Sequence, residues 1–208
     1  MSSPRTQAER LAATRAALMR EARALFSAEG YESAGTEEIV RRAKVTRGAL
    51  YHHFKDKRDL FEAVFQEVAA GIAGTIDETS TPSPDPLQAL VDGARGFLEA
   101  CLDPAVRRIY LLDAPAVLGW HRWRELDAPH GVRTLRDGVA AVLDTRPDAD
   151  LDLEATTFLL SGACNEAALW IAEAKDEKAA REVMERNLAA LIERLFAPPR
   201  SPRARARG

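Results

Sequence analysis

Apolar side chains recur every three to four residues along almost the whole chain, and no stretch alternates apolar with polar at period two. A chain patterned in this way can build helices but no sheet, so an all-α fold of about nine helices is expected. Leu11, Leu18, Ala22, Leu25 and Phe26 share one face of a helix from about residue 8 to Glu29, ended by Gly30. Thr36 followed by Glu37 and Glu38 reads as the capped start of a short second helix. Lys44-Val45-Thr46 reads as a turn around a buried Val45, with Thr46 capping a third helix from Arg47 to about Phe54 that points Leu50 and Phe54 inward. Asp56 caps a long fourth helix carrying Leu60, Phe61, Val64, Phe65, Val68 and Ile76.

The segment Thr79-Ser80-Thr81-Pro82-Ser83-Pro84-Asp85-Pro86 is the one linker signal. Beyond it, helices are expected at about 86–102, 104–112, 115–126, 130–144, 152–174 and 178–197. Pro147 and the acidic run Asp148–Asp152 mark a break, and Pro198-Pro199 mark the last helix's end. The Pro- and Arg-rich tail 198–208 is expected to be disordered.

Charge is where composition matters. The net charge of the 208 residues is -3, which by itself disfavours a polyanionic partner. By position the picture reverses. Residues 1–60 hold 12 basic and 8 acidic side chains, residues 61–197 hold 13 and 24, and the tail adds four arginines. A basic head on an acidic body suggests that the head meets a polyanion.

Two short helices joined by a three-residue turn, lying within that basic head, have the size and spacing of a helix-turn-helix over about residues 35–54. The block Thr36–Lys57, TEEIVRRAKVTRGALYHHFKDK, resembles the DNA-binding domain of the tetracycline-repressor family of bacterial regulators. The resemblance rests on Gly30-Tyr31, Ile39-Val40, Ala43, Gly48, Leu50-Tyr51, His53-Phe54, Lys57 and Leu60-Phe61, and covers roughly residues 12–72. One departure is Lys44, at a turn position where many members have glycine, which places a residue with a side chain at positive φ.

The resemblance implies a DNA-binding domain over 12–72 and an effector-binding and dimerisation domain over 85–197. A recognition helix in the major groove would turn Arg47 toward a guanine edge and let the backbone approach closely at Gly48. Tyr51 and His52 would reach base or phosphate, and His53 and Lys57 match family positions that hold phosphate. Thr36 and Thr46 can contact phosphate while capping their helices. Leu50, Phe54 and Ala43 are expected in the core.

A module this small reads few base pairs, so a homodimer on a palindromic operator is expected. Residues 154–174 are apolar or small nearly all round (Phe158, Leu159, Leu160, Gly162, Ala163, Cys164, Ala167, Ala168, Leu169, Trp170 and Ile171), and Val183, Met184, Leu188, Leu191, Ile192 and Leu195 stripe the last helix. In the family, two such helices pair with their symmetry mates. The family also encloses a small-molecule effector in its body, which makes Phe97, Tyr110, Trp120, Phe158 and Asn165 candidate lining residues. The effector's identity is not written in the sequence.

Other classes are disfavoured. There is no Gly-rich phosphate loop, nucleophile elbow or His-Glu-x-x-His motif, so neither an enzyme nor a cofactor or metal site is expected. His52 and His53 diverge by about 100° on a helix and cannot chelate one metal together. Cys101 and Cys164 are too few for a disulfide framework, no run of 18 apolar residues spans a membrane, and the polar N-terminus lacks a signal peptide's apolar run. A reduced, cytoplasmic protein is expected. A helical scaffold with a degenerate head, or an activator of the same fold, are the alternatives to a repressor.

Overall fold

Helix α1 (Gln7–Glu29) starts where Thr6 and Glu9 cap each other reciprocally: the Glu9 N–H donates to Thr6 Oγ1 and the Thr6 N–H to the Glu9 carboxylate at 2.7 Å. The computed structural model describes residues 6–81 and 83–197. Residues 1–5, Pro82, the Pro198-Pro199 stop and the tail 198–208 lie outside the described residues. Among those described, the chain forms nine helical runs and no strand. After α1 come α2 (Thr36–Ala43), α3 (Arg47–His53), α4 (Lys57–Ser80) and α5 (Pro86–Leu102), then α6 over 104–118, α7 over 120–145, α8 (Leu153–Glu173) and α9 (Glu177–Leu195).

Four local expectations need correction. Thr36 is not a cap: Gly35 holds the extended N-cap position, without a side-chain bond, and Thr36 is the first helical residue. The third helix stops one residue early, because Phe54 is extended and turns its ring into the core. The helices expected over 104–112 and 115–126 are divided differently. A π-helical stretch, Arg108–Asp113, carries α6 through to Leu118, and the break falls at Gly119, whose φ of 78° few side-chain-bearing residues tolerate. A second π turn, with a non-helical His130, joins Trp120–Asp127 to Arg133–Thr145 as one kinked α7.

The chain divides into two compact units that are not consecutive in sequence. The first comprises residues 6–73 and 99–131. Its core is Leu18, Leu25, Phe26, Ile39, Leu50, Leu60, Phe61 and Phe65, joined by Ile109, Tyr110 and Trp123 from α6 and α7. Phe26 and Phe61 meet edge to face at 5.1 Å, Phe65 stacks on Tyr110, and the Trp123 indole N–H donates to the Tyr110 carbonyl. Leu11, expected on the inward stripe of α1, is exposed, and Val45 is half-buried. Leu11 lies in the first two turns of α1, and Val45 lies in the turn between α2 and α3.

The second unit comprises residues 74–98 and 132–197. Leu90, Val91, Leu98, Val139, Val142, Leu160, Ile171, Leu188, Ile192 and Phe196 form its core. Gly96 lets α5 come close to the end of α4, since a Cβ there would meet Thr79 Oγ1 at 2.7 Å. Burial pushes the Cys164 thiol up to about 12, so it is an inert packing group.

Gly74 in α4 has no such reason to be glycine, since a Cβ there would meet nothing within 4 Å. The expected result of Gly74→Ala is a gain of about 0.5–1 kcal/mol in urea unfolding, through helix propensity alone. A loss instead would show that α4 uses the flexibility of this residue.

Candidate nucleic-acid interface

The two short helices are set against α1 by one deeply buried residue each, Ile39 and Leu50. The turn between them closes through Lys44 in the left-handed region (φ 56°, ψ 40°), as its side-chain position in the sequence implied. The Lys44 N–H donates to the Arg41 carbonyl and the Val45 N–H to the Val40 carbonyl. Thr46 then caps α3, its hydroxyl accepting the Ala49 N–H at 3.1 Å.

With Leu50 pinned inward, α3 presents Arg47, Gly48, Tyr51 and His52 outward, all exposed. The Arg47 guanidinium lies 5.6 Å from the Tyr51 ring centre and 3.8 Å from the Glu37 carboxylate. That pair is exposed on both sides and holds Arg47 only weakly. A Cβ at Gly48 would meet nothing nearer than Thr46 Oγ1 at 3.8 Å, so packing within the chain does not require glycine there. Half-buried Thr36 opens α2.

Lys57, the first residue of α4, is half-buried. Its ammonium lies 4.3 Å from the Tyr31 ring centre and donates to the Glu32 carbonyl at 3.2 Å. The helix behind it is capped by Asp56, which accepts the Asp59 N–H at 2.8 Å.

Charge on this unit is less free than a count of residues suggests. Glu38 accepts hydrogen bonds of 2.6–2.7 Å from Arg41 and Arg42, and these hold its carboxyl at about 2. The spacing of three and four residues makes this pairing readable from the sequence, where it was missed. At the end of α3, His53 is half-buried beside His52, with ring centres 5.3 Å apart. Burial first, then the His52 and Arg15 charges, lowers its pKa. The unfolded chain therefore binds this proton more readily than the folded one. Stability is intact above about 6.5, the unperturbed value, and falls as pH drops toward the lowered one. His53→Gln should flatten that pH dependence in denaturant unfolding. A slope unchanged by the substitution would assign it to another group.

The five candidate effector residues do not form a set in either unit. Tyr110 is buried and Trp120 is 61% exposed in the first unit, where both pack on Trp123. Phe97 is buried, Phe158 exposed and Asn165 half-buried in the second. An open groove of about 850 Å³ on the first unit is lined instead by Arg15, Met19, Arg23, Gln66, Glu67 and His130, among others. No periodicity in the sequence points to it. Among the described residues, no group of three or more His, Cys, Asp or Glu could hold a metal ion, and no helix is long and apolar enough to cross a membrane.

A helix-turn-helix on a three-helix core, followed by a larger all-helical body, defines a class of DNA-binding transcriptional regulators. Residues 18–64 match the family described as bacterial regulatory proteins, tetR family, and residues 87–195 match the tetracyclin repressor-like C-terminal domain. The chain belongs to the tetracycline-repressor family.

It is 26% identical to the Transposon Tn10 TetC protein of Escherichia coli over 78% of this chain and 82% of that one. It is 38% identical to the HTH-type transcriptional regulator AcrR of Shigella flexneri over 42% of this chain, a match that spans only 41% of AcrR. Among solved structures, a TetR-family regulator from Pectobacterium atrosepticum has a TM-score of 0.74 at 33% identity, covering 94% of this chain and all of that one. RolR bound to resorcinol shares the fold, with a TM-score of 0.67 at 21% identity, covering 94% and 99% of the two chains.

Proposed function

We propose that the protein is a homodimeric, ligand-responsive repressor that binds a palindromic operator through α3. The observation that carries this reading is the outer face of α3. Arg47, Gly48, Tyr51 and His52 stand exposed together, and a Cβ on the glycine among them would meet only Thr46 Oγ1, at 3.8 Å, among the described residues. In this reading residues 12–72 are the DNA-binding domain, with Arg47 reading a guanine edge and Tyr51 and His52 reaching base or phosphate. Thr36, Thr46, His53 and Lys57 grip the backbone. Similarity to the repressors named AcnR, 36% identical over 41% of this chain, favours repression over activation.

Residues 85–197 would hold the effector and the dimer interface. Support for the interface comes from apolar side chains left outside on the last two helices: Phe158, Leu159 and Trp170 on α8, and Val183 and Leu191 on α9. RolR is solved with a small phenol, resorcinol, which supports a small-molecule effector here. Phe97, Tyr110, Trp120, Phe158 and Asn165 remain the proposed contacts. An effector that changed the separation of the two heads with a coupling of about 1–3 kcal/mol would weaken operator binding roughly 5- to 150-fold.

Selection of bound duplexes from random double-stranded DNA tests the reading. The expected product is a palindrome with half-site centres about 34–36 Å apart, bound by a species that sediments as a dimer. Recovery of no preferred sequence would overturn the repressor reading and favour a helical scaffold.

A further inference from the structure

The link between α1 and α2 does more than join two helices. It touches Lys57 on one side and α6 on the other, all within the first compact unit. On the α6 side, Arg108 donates to the Glu29 carbonyl at 3.2 Å. Its guanidinium lies so close to Gly30 that a Cβ there would collide with it, and Gly30 has a φ of 83° besides. Asp113 accepts the Tyr31 N–H at 2.9 Å, and its carboxylate stands 3.9 Å from Arg108 Nε. Residues 29–31 are thus held by both ends of the π-helical stretch Arg108–Asp113. On the other side, the Tyr31 ring and the Glu32 carbonyl hold the Lys57 ammonium. Phe26 and Phe61 fix the Tyr31 ring from behind, with ring centres at 5.8 and 5.0 Å.

The geometry points to a latch: Asp113 and Arg108 are positioning residues that set the DNA grip of Lys57 through the backbone of residues 29–32. The inference rests on the DNA-binding reading above and assigns that site a control point. A backbone amide held by a carboxylate is a short, strong and directional contact, so loss of the acceptor leaves the Tyr31 N–H without this anchor and loosens the link. Lys57 then loses the ring and carbonyl that orient it. π-helical turns recur at functional sites, and this one carries both residues that hold the link. Tyr110 stands on the same stretch, stacked on Phe65, so displacing it would move Asp113 three residues on.

The test uses the full-length protein, a selected operator duplex and an unrelated duplex, with affinity measured against salt for Asp113→Ala, Lys57→Gln and the double variant. Lys57→Gln should lower the slope of log affinity against log salt by about one. Asp113→Ala should lower it by up to the same amount, and the double variant should match Lys57→Gln alone. Asp113→Asn, whose amide oxygen can still accept from Tyr31, should restore most of the slope. Arg108→Gln offers a second entry if Asp113→Ala melts below the assay temperature, and it should show the same non-additivity with Lys57→Gln.

Losses that multiply in the double variant would overturn the latch. So would a slope that responds to Lys57→Gln but to neither Asp113→Ala nor Arg108→Gln. A wild-type protein that binds neither duplex would overturn the DNA-binding reading itself, which separates the two failures.

Discussion

Phe61→Ala is expected to destabilise the protein by about 3–5 kcal/mol and to carry the head's function away with it. Phe61 has no exposed surface and meets two other rings, Phe26 at 5.1 Å and Tyr31 at 5.0 Å, both edge to face. Truncation removes the transfer free energy of a whole ring, opens a cavity among rigid neighbours and deletes two aromatic pairs. Ordinary domains have about 5–15 kcal/mol of stability, so the loss consumes a large share of it. For a chain of this length it should lower the melting temperature by roughly 6–20 °C. Urea unfolding of Phe61→Ala beside Phe61→Leu provides the check. A loss under about 1 kcal/mol for the alanine variant would mean that the three-ring cluster does not hold the head together. The cluster also backs the Tyr31 ring, so the leucine variant should loosen Lys57 even where the fold survives.

Arg47→Ala is expected to do the opposite, sparing the fold and removing recognition. Its guanidinium is exposed, and its ion-pair partner Glu37, at 3.8 Å, is exposed too, so unfolding should change by less than about 0.5 kcal/mol. Binding to a selected operator should weaken by about 1–3 kcal/mol, with preference relaxed at one base position in each half-site. Arg47→Lys keeps the charge but not the planar fork, and should recover general affinity without the base preference. Equal losses on operator and random duplexes would reduce Arg47 to a backbone contact. Phe61 and Arg47 thus separate the scaffold of the head from what the scaffold presents.

Most of the helical plan was legible because helix formation is written in neighbouring residues. The short pair 36–43 and 47–53 follows from apolar spacing around Ile39 and Leu50, and the Thr46 cap from its hydroxyl. The positive φ of Lys44 followed from its place in the turn. Errors came where two local rules compete. Thr36 and Gly35 can both start a helix, and only the backbone position shows that Gly35 does. Pro115 read as a helix start, yet the chain continues through it by a π turn and breaks four residues later at Gly119.

The candidate DNA face lies on one helix, so it too was readable from one segment. How far each basic side chain of the head is paired shows only in the structure, where Glu38 draws Arg41 and Arg42 together while Arg47 keeps a long, exposed ion pair with Glu37. The candidate effector residues were chosen as aromatic or polar positions scattered over 69 residues of chain, from Phe97 to Asn165. Spacing carries no information about contacts at that distance in sequence.

Local pattern therefore settled most of the helical plan, the helix-turn-helix and the residues on its outer face, but not how 104–145 divides. Each depends on side chains within a turn or two of one another, where backbone geometry fixes who can meet. Tertiary structure decided that residues 99–131 pack with the head, and that Arg108 and Asp113 reach back some 80 residues to Glu29 and Tyr31. Those contacts form only when separate helices are brought together by burial of their apolar faces. Burial is non-directional, so it leaves in the sequence a count of apolar residues and no record of which helix meets which.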